Sequence, residues 1–504
     1  MTLKDLLVER AKKLGKKTYL YWEDLEISYE GMRQLAFGIA HHLIRRGIKK
    51  NDKVCILLYN RPEYVYCLYG VTAAGAVLVP INSQFKADEA QYILKNSDAK
   101  ILITSPEFKD VAAQVRPNCP ELKEVIMLDE EIPGTTLFQE LLDPPKQFEE
   151  REVKEDDVAG IIYTSGTTGY PKGVLLTHKN YIVNARQVAT AAQMTEKDRF
   201  LCILPLFHVN GQIVTTVSPF YAGGSMILLK GFSPKDFLPK LARYRATAFS
   251  GVPTVYAILN NLPDAEQYDL SQLRFCICGA APMPVEVFET FERKYKAFIL
   301  EGYGLSEGTC ASSINPLGGK RKIGSIGVPL EGQELKIFDD QDRELPAGQI
   351  GEIVVRGENL MQGYYKNEAA TKETLRGGWL HTGDLGSIDE DGYIFIVGRK
   401  KEMIIRGGEN IYPKEIEEAL YRHPAIAEAA VVGLPDKIWG EEVSAFVVLK
   451  PGSELKAQEL IDYCKAHLAN YKCPRRVEFV EGFPKTATGK IQKNKIIESY
   501  LKRG

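Results

Sequence analysis

No stretch of this chain is long and apolar enough to suggest a membrane helix; none reaches the ~20 apolar residues that a span needs. The longest apolar pieces, such as 246–255, are short and read as buried elements. The opening Met1-Thr-Leu-Lys-Asp-Leu-Leu-Val-Glu-Arg carries charge early and lacks the charged-then-apolar layout of a signal peptide, so no export leader is expected. Cysteine is sparse, nine in 504 residues. Neither Cys276 and Cys278 nor the others have zinc-ligand spacing, which predicts reduced structural thiols and a cytoplasmic location. The seven histidines form no His-x-x-x-His pair. Net charge is only −2, so nothing suggests a general affinity for nucleic acid or an anionic membrane.

What is there is ordinary globular composition, 44% hydrophobic and 26% charged, in a chain too long for one core. The first ~150 residues alternate helical patterns (34–46, 87–96) with short apolar runs (53–58, 99–104), and apolar runs recur at 160–163, 199–204, 225–229 and 273–278. Such alternation predicts layered α/β structure. After about Asn315 the texture changes. Pro329, Gly332 and Pro346 split strand-like pieces into what reads as a small antiparallel, barrel-like region. From Arg399 onward about 100 residues pattern as a smaller α+β domain, with a helix opening at Pro413. The expected division is 1–398 and 399–504. The second part carries 19 Lys and Arg against 15 Asp and Glu, a small excess that would suit a lid over a polyphosphate.

The strongest local signal is Tyr163-Thr-Ser-Gly-Thr-Thr-Gly-Tyr-Pro-Lys-Gly173, after an apolar strand and before a predicted helix from His178. Glycines let backbone N–H groups crowd an anion, hydroxyls donate to phosphate oxygens, and Lys172 offsets charge. The order is not that of a Walker A loop; read alone, the segment is also compatible with a surface turn. Five more segments stand out: Leu204-Pro-Leu-Phe-His-Val-Asn-Gly211; Cys278-Gly-Ala-Ala-Pro282; Glu301-Gly-Tyr-Gly-Leu-Ser-Glu-Gly308; Gly378-Trp-Leu-His-Thr-Gly-Asp384 with Arg399 downstream; and Pro484-Lys-Thr-Ala-Thr-Gly-Lys490. A seventh, Lys400-Lys-Glu-Met-Ile-Ile-Arg-Gly-Gly408, runs into the second part.

In this order the set resembles the adenylate-forming superfamily, in its acyl-CoA synthetase and fatty-acid–CoA ligase branch, over nearly the whole chain. The resemblance implies ATP, Mg²⁺ and coenzyme A as reaction partners of a small carboxylic acid, with an acyl-adenylate as intermediate. It implies nucleotide contacts from Thr164, Ser165, Gly166, Thr167, Thr168, Gly169 and Lys172. Gly279, Ala280, Ala281, Glu301, Gly302, Tyr303, Gly304, Leu305 and Ser306 would line the adenine site, with Tyr303 stacked on the base. Asp384 and Arg399 would take the ribose. Glu307, with Thr164, would hold the metal. Lys490, His208 and Glu307 are the implied catalytic residues, Lys401 the hinge, and Gly407 and Gly408 the loop beside coenzyme A. Phe207, Val209, Gly211, Val252 and Thr254, together with Gly279, Gly302, Gly304 and Leu305, are candidates for the acyl pocket; their glycines and few charges read as an open apolar channel for a medium- or long-chain fatty acid. Aryl and short polar acids stay open, as does a homodimer. So do a stand-alone domain loading a carrier-protein phosphopantetheine, a luciferase-like oxygenase and a non-catalytic binder. No Asp marks an amino-acid pocket near 202–211, and no carrier module is expected after Lys490. Lys485, Lys493 and Lys495 read as solvated surface charges.

Overall fold

The computed structural model describes residues 1–143, 151–164, 171–263, 265–281, 283–486 and 489–502. Two mixed sheets form the body. In the first, parallel strands Ser225–Leu228, Arg199–Cys202, Ala248–Gly251, Phe275–Cys278 and Phe298–Tyr303 lie side by side. In the second, Ala99–Thr104, Lys53–Leu57, Val77–Pro80 and Val158–Thr164 do the same. Four of these nine strands are buried along their whole length, as parallel strands covered on both faces require. One core cluster between the sheets takes in Leu3, Tyr29, Tyr69 and Phe220; separate clusters fill the outer faces around Phe249 and around Leu102. Ligands of open α/β sheets bind outside the carboxyl ends of such strands, and there the motifs gather.

A third sheet is antiparallel and runs Gln333–Phe338, Gly351–Gly357, Leu380–Ile388, Ile394–Arg399. Its last hairpin turns at Asp389–Gly392, with Gly392 at φ +83°. Beyond it, strands Ile404–Arg406, Glu409–Ile411, Ile426–Asp436, Gly440–Leu449 and Arg476–Phe479 make a fourth sheet. The helices Pro413–Tyr421 and Ala457–His467 pack on it around a core of its own, drawn from Ile404 to Cys473. Pro413 opens its helix where a missing N–H costs nothing. The chain is thus a large N-terminal α/β body with a smaller C-terminal α+β part. Among the described residues no helix is long and apolar enough to cross a membrane. All nine cysteines are free and buried.

The helix expected from His178 is there, and a strand that was not foreseen lies between it and the Ser/Thr/Gly-rich segment. Strand Lys172–Thr177 intervenes, antiparallel to Val158–Thr164, with Thr164 opposite Lys172. Only then does helix His178–Ala191 begin, capped by Thr177 and Asn180. Of the segment between these two strands, Ser165, Gly166, Thr167, Thr168 and Gly169 lie outside the described residues.

Candidate active site

Strand register sets the first corner. Lys172 leaves the hairpin with its ammonium 5.0 Å from the ring centroid of Tyr364. The Tyr364 hydroxyl donates to Glu307 Oε1 at 2.8 Å. Glu307 sits in the turn Ser306–Gly308 and its carbonyl accepts from Met361 N at 2.8 Å. Behind it Thr309 holds φ +71°, ψ −56°, and Cys310 N donates to Gly308 O at 2.9 Å. That is a γ-turn, a rare and strained conformation of the kind that collects at functional sites. Tyr364 was not foreseen: its contact spans 57 residues of chain, and nothing in its neighbourhood advertises it.

The second corner joins two sheets. Asp384 and Arg399 are directly opposed on neighbouring strands, and Arg399 Nε reaches Asp384 Oδ1 at 2.8 Å. Tyr303 donates its hydroxyl to Asp384 Oδ2 at 2.6 Å. Burial and the Asp384 charge push the Tyr303 phenol far up, so it stays a donor. Burial works against the charge on Arg399, but Asp384 and Glu402 outweigh it and hold the guanidinium up. Gly279 and Gly302 face each other: a Cβ on Gly279 would come 3.3 Å from Gly302 O. Ala280 beside it adopts φ +70°. Gly304 is required by packing, since a Cβ there would stand 1.6 Å from Cys310 O.

Glu301, counted among the nucleotide contacts, is 4% exposed. Burial pushes its carboxyl up to about 7, with Lys414 pulling the other way. Its Oε1 accepts from Met283 N at 3.4 Å, and Oε2 has no hydrogen-bond partner among the described residues. Lys414 and Glu418, which face it, belong to helix Pro413–Tyr421 of the C-terminal part.

His208 immediately precedes the short helix Val209–Gln212. Burial lowers its imidazole to about 4, so it is neutral at pH 7, and its Nε2 is buried without a hydrogen-bond partner among the described residues. Phe207 packs against it, ring centroids 4.4 Å apart. Asn60, which sequence reading missed, pins the segment before it. Its amide donates to Leu204 O (3.0 Å) and Leu229 O (3.2 Å) and accepts from Leu206 N (2.8 Å). The expectation that glycines open an acyl channel is corrected at Gly211: a Cβ there would meet Pro205 O at 2.5 Å. Close backbone approach, not a cavity, demands glycine. Ser250 Oγ donates to Asn210 Oδ1 at 3.1 Å in the same neighbourhood.

The C-terminal part closes the site. A Cβ on Gly489 would lie 3.6 Å from Val252 Cγ2 and 4.0 Å from Thr254 Oγ1, so Gly489, next to Lys490, lies beside two candidate pocket residues. Burial and the nearby Arg399 lower the Lys490 ammonium, while Glu402 and Asp384 pull it back. Lys490 therefore shares the field of the Asp384–Arg399 corner. Gly407 and Gly408 are not in this gathering. They turn the hairpin between Ile404–Arg406 and Glu409–Ile411 at φ +58° and +87°, and Gly407 N donates to Trp439 O at 2.9 Å. Lys401 lies in the turn Lys400–Glu402. Two of the lysines read as solvated are paired: Lys485 with Glu428 at 2.6 Å, and Lys493 with Glu417 and Glu402.

A single carboxylate, Glu307, stands where a divalent ion is implied, and no cluster of three metal-ligating side chains occurs among the described residues. That donor set fits Mg²⁺ on a nucleotide, which takes one or two protein carboxylates and fills its shell with phosphate oxygens and water.

Comparison with known proteins identifies the family. Residues 7–365 match the family of AMP-binding enzymes, and residues 415–490 match the AMP-binding enzyme C-terminal domain. A long-chain-fatty-acid–CoA ligase of Bacillus subtilis (strain 168) is 35% identical, over 99% of this chain and 94% of its own. A sulfoacetate–CoA ligase of Cupriavidus necator is also 35% identical, over 98% and 97%. The crystal structure of the anthranilate CoA ligase AuaEII with anthranoyl-AMP superposes with a TM-score of 0.94 at 32% identity, covering 100% of this chain and 98% of that one. The chain belongs to the AMP-binding enzyme family, in its acyl-CoA synthetase branch, and is an AMP-forming acid–CoA ligase.

Proposed function

We propose that the acid's carboxylate attacks the α-phosphorus of ATP across the gap between Lys172 and Lys490, releasing pyrophosphate, and that the thiol of coenzyme A then displaces AMP from the acyl-adenylate. The observation that carries this is the seat of Gly489, next to Lys490, beside Val252 and Thr254 of the body, with Lys490 in the field of the Asp384–Arg399 corner. Repulsion between oxyanions is the main obstacle to the first step. Ammonium groups placed where charge builds at phosphorus lower it most. Glu307, with the Thr164 hydroxyl, would hold Mg²⁺, which supplies charge neutralisation on the phosphates. Asp384 accepts from the ribose, and Tyr303 lies under the base. Neutral His208 offers Nε2 to the carboxylate without adding a charge.

The second step needs other groups near the carbonyl. Rotation of 399–504 about Lys401 would withdraw Lys490 and bring in Gly407 and Gly408, whose bare backbone admits a narrow thiol arm. The nine reduced, buried cysteines fit a cytoplasmic enzyme. The acid is read as a medium- or long-chain fatty acid, supported by apolar Phe207, Val209 and Val252 and by the B. subtilis relative. A compact polar acid is the second reading. The Asn210–Ser250 pair, the filled backbone at Gly211 and the sulfoacetate–CoA ligase relative favour it. The deciding experiment is pyrophosphate release over a panel of fatty, aryl and short polar acids, with and without coenzyme A. A thioester formed only with coenzyme A supports the ligase reading. No release of pyrophosphate with any acid sinks it.

A further inference from the structure

The last helix, Lys493–Leu501, begins with a buried cation. Lys493 Nζ lies 2.8 Å from Glu417 Oε1 and 3.3 Å from Glu402 Oε2, with its side chain 17% exposed. A cation in the first turn of a helix opposes the helix dipole, and loss of water adds to the cost. Burial works against the charge, and Glu417 and Glu402 outweigh it. The two carboxylates come from separate segments. Glu402 ends the turn Lys400–Glu402 that contains Lys401. Glu417 is on helix Pro413–Tyr421 and also accepts from Val431 N at 2.8 Å. Glu402 further supports the charges of Arg399 and Lys490. Lys490 itself sits three residues before Lys493, in a tight turn. Thr486 N donates to Lys490 O at 2.8 Å, Lys490 N to Thr486 Oγ1 at 3.1 Å, and Gln492 N to Pro484 O at 2.8 Å. These bonds tie Lys490 to Thr486 and Gln492 to Pro484, and Lys493 stands at their base.

We propose that Lys493 is a positioning residue for adenylation, an ionic strut between the hinge turn and the base of the Lys490 loop that makes the two move as one body. The proposal rests on Lys490 being the adenylation cation. Without the strut, the loop and the turn keep their own shapes but lose their fixed separation. Lys490 then reaches the phosphate with an error that closure cannot correct. The thiol step, for which Lys490 is withdrawn, does not depend on it.

The test uses the full-length protein and measures pyrophosphate release and coenzyme A transfer from supplied acyl-AMP separately, alongside thermal melting. Lys493→Met keeps the stem and removes the charge; Glu402→Gln removes the other end. Each lowers the kcat of adenylation about 10- to 100-fold, the scale of an ångström-sized misplacement, with the KM for ATP and the transfer step little changed. Lys493→Arg restores most of the rate. The double variant loses less than the product of the two single losses, because both break the Lys493–Glu402 contact. If Lys493→Met does not survive purification, Glu402→Gln and Lys493→Arg carry the same comparison. Wild-type adenylation in Lys493→Met, a parallel loss of both half-reactions, or losses that add in the double variant would each overturn the strut. Lys490→Ala runs beside them: if it adenylates normally, the parent reading fails, whereas its loss beside an intact Lys493→Met removes only the strut.

Discussion

The ribose-side corner and the Lys490 loop hold their charges in opposite ways. Asp384 and Arg399 face each other because two long strands are in register, and Tyr303 reaches Asp384 from a neighbouring sheet. Backbone hydrogen bonds fix that geometry whether or not nucleotide is present. Lys490 stands on a loop whose place depends on ion pairs and on how a small separate core seats against the body. A group needed in both half-reactions belongs in the first setting. One needed in a single half-reaction, and in the way for the other, belongs in the second. The contrast predicts that damage to the corner shows in stability and binding, and damage to the loop in one rate.

The sharpest break is Lys490→Ala. It should cut adenylation about 10²-fold or more, as losing a charge-stabilising donor does, while transfer from supplied acyl-AMP and the melting temperature hold. Equal losses in both steps would erase the contrast. Asp384→Asn should do the reverse. It leaves Arg399 without its opposed charge and costs about 2 kcal/mol of stability, below the value for a fully buried pair because Arg399 is 45% exposed. Urea midpoints measure this, together with a raised KM for ATP.

Glu301 probes the seam between the two regions. Its folded carboxyl titrates at about 7, well above an ordinary glutamate, so the folded state binds the extra proton. That contribution is complete below the unfolded value and is lost as pH rises through 7. Glu301→Gln mimics the protonated form and should narrow the stability gap between pH 5 and pH 8 by about 1–2 kcal/mol. An unchanged gap would show that Glu301 stays ionised beside Lys414. Smallest is Tyr364→Phe, which removes one hydrogen bond to Glu307 at about 1 kcal/mol. A several-fold rise in the Mg²⁺ concentration needed for half-maximal rate would tie Tyr364 to the metal-facing side of Glu307, and no change would leave it a packing residue.

Much of this was legible in the amino acids. Apolar runs placed six of the nine parallel strands, the change of texture after Asn315 marked the antiparallel sheet, and the resemblance carried by the ordered motifs implied a nucleotide, a ribose and a phosphate. Those signals are local: a strand's burial, a glycine run or a carboxylate beside a turn is written in a few consecutive residues. What was missed depends on distance in the chain. Asn60 pins a segment about 146 residues away, and Tyr364 meets Glu307 from beyond a sheet edge. Gly211 and Gly304 suggested space when read alone, but each is glycine because another backbone passes too close for a Cβ. Lys493 looked like one more basic residue in a charged tail until Glu402 and Glu417 surrounded it. By itself, the sequence determined the layers, the two-part organisation and the kind of chemistry. Only the tertiary structure decided which charges share one field, because Coulomb interactions and hydrogen bonds act over a few ångströms of space whatever the length of chain between the partners.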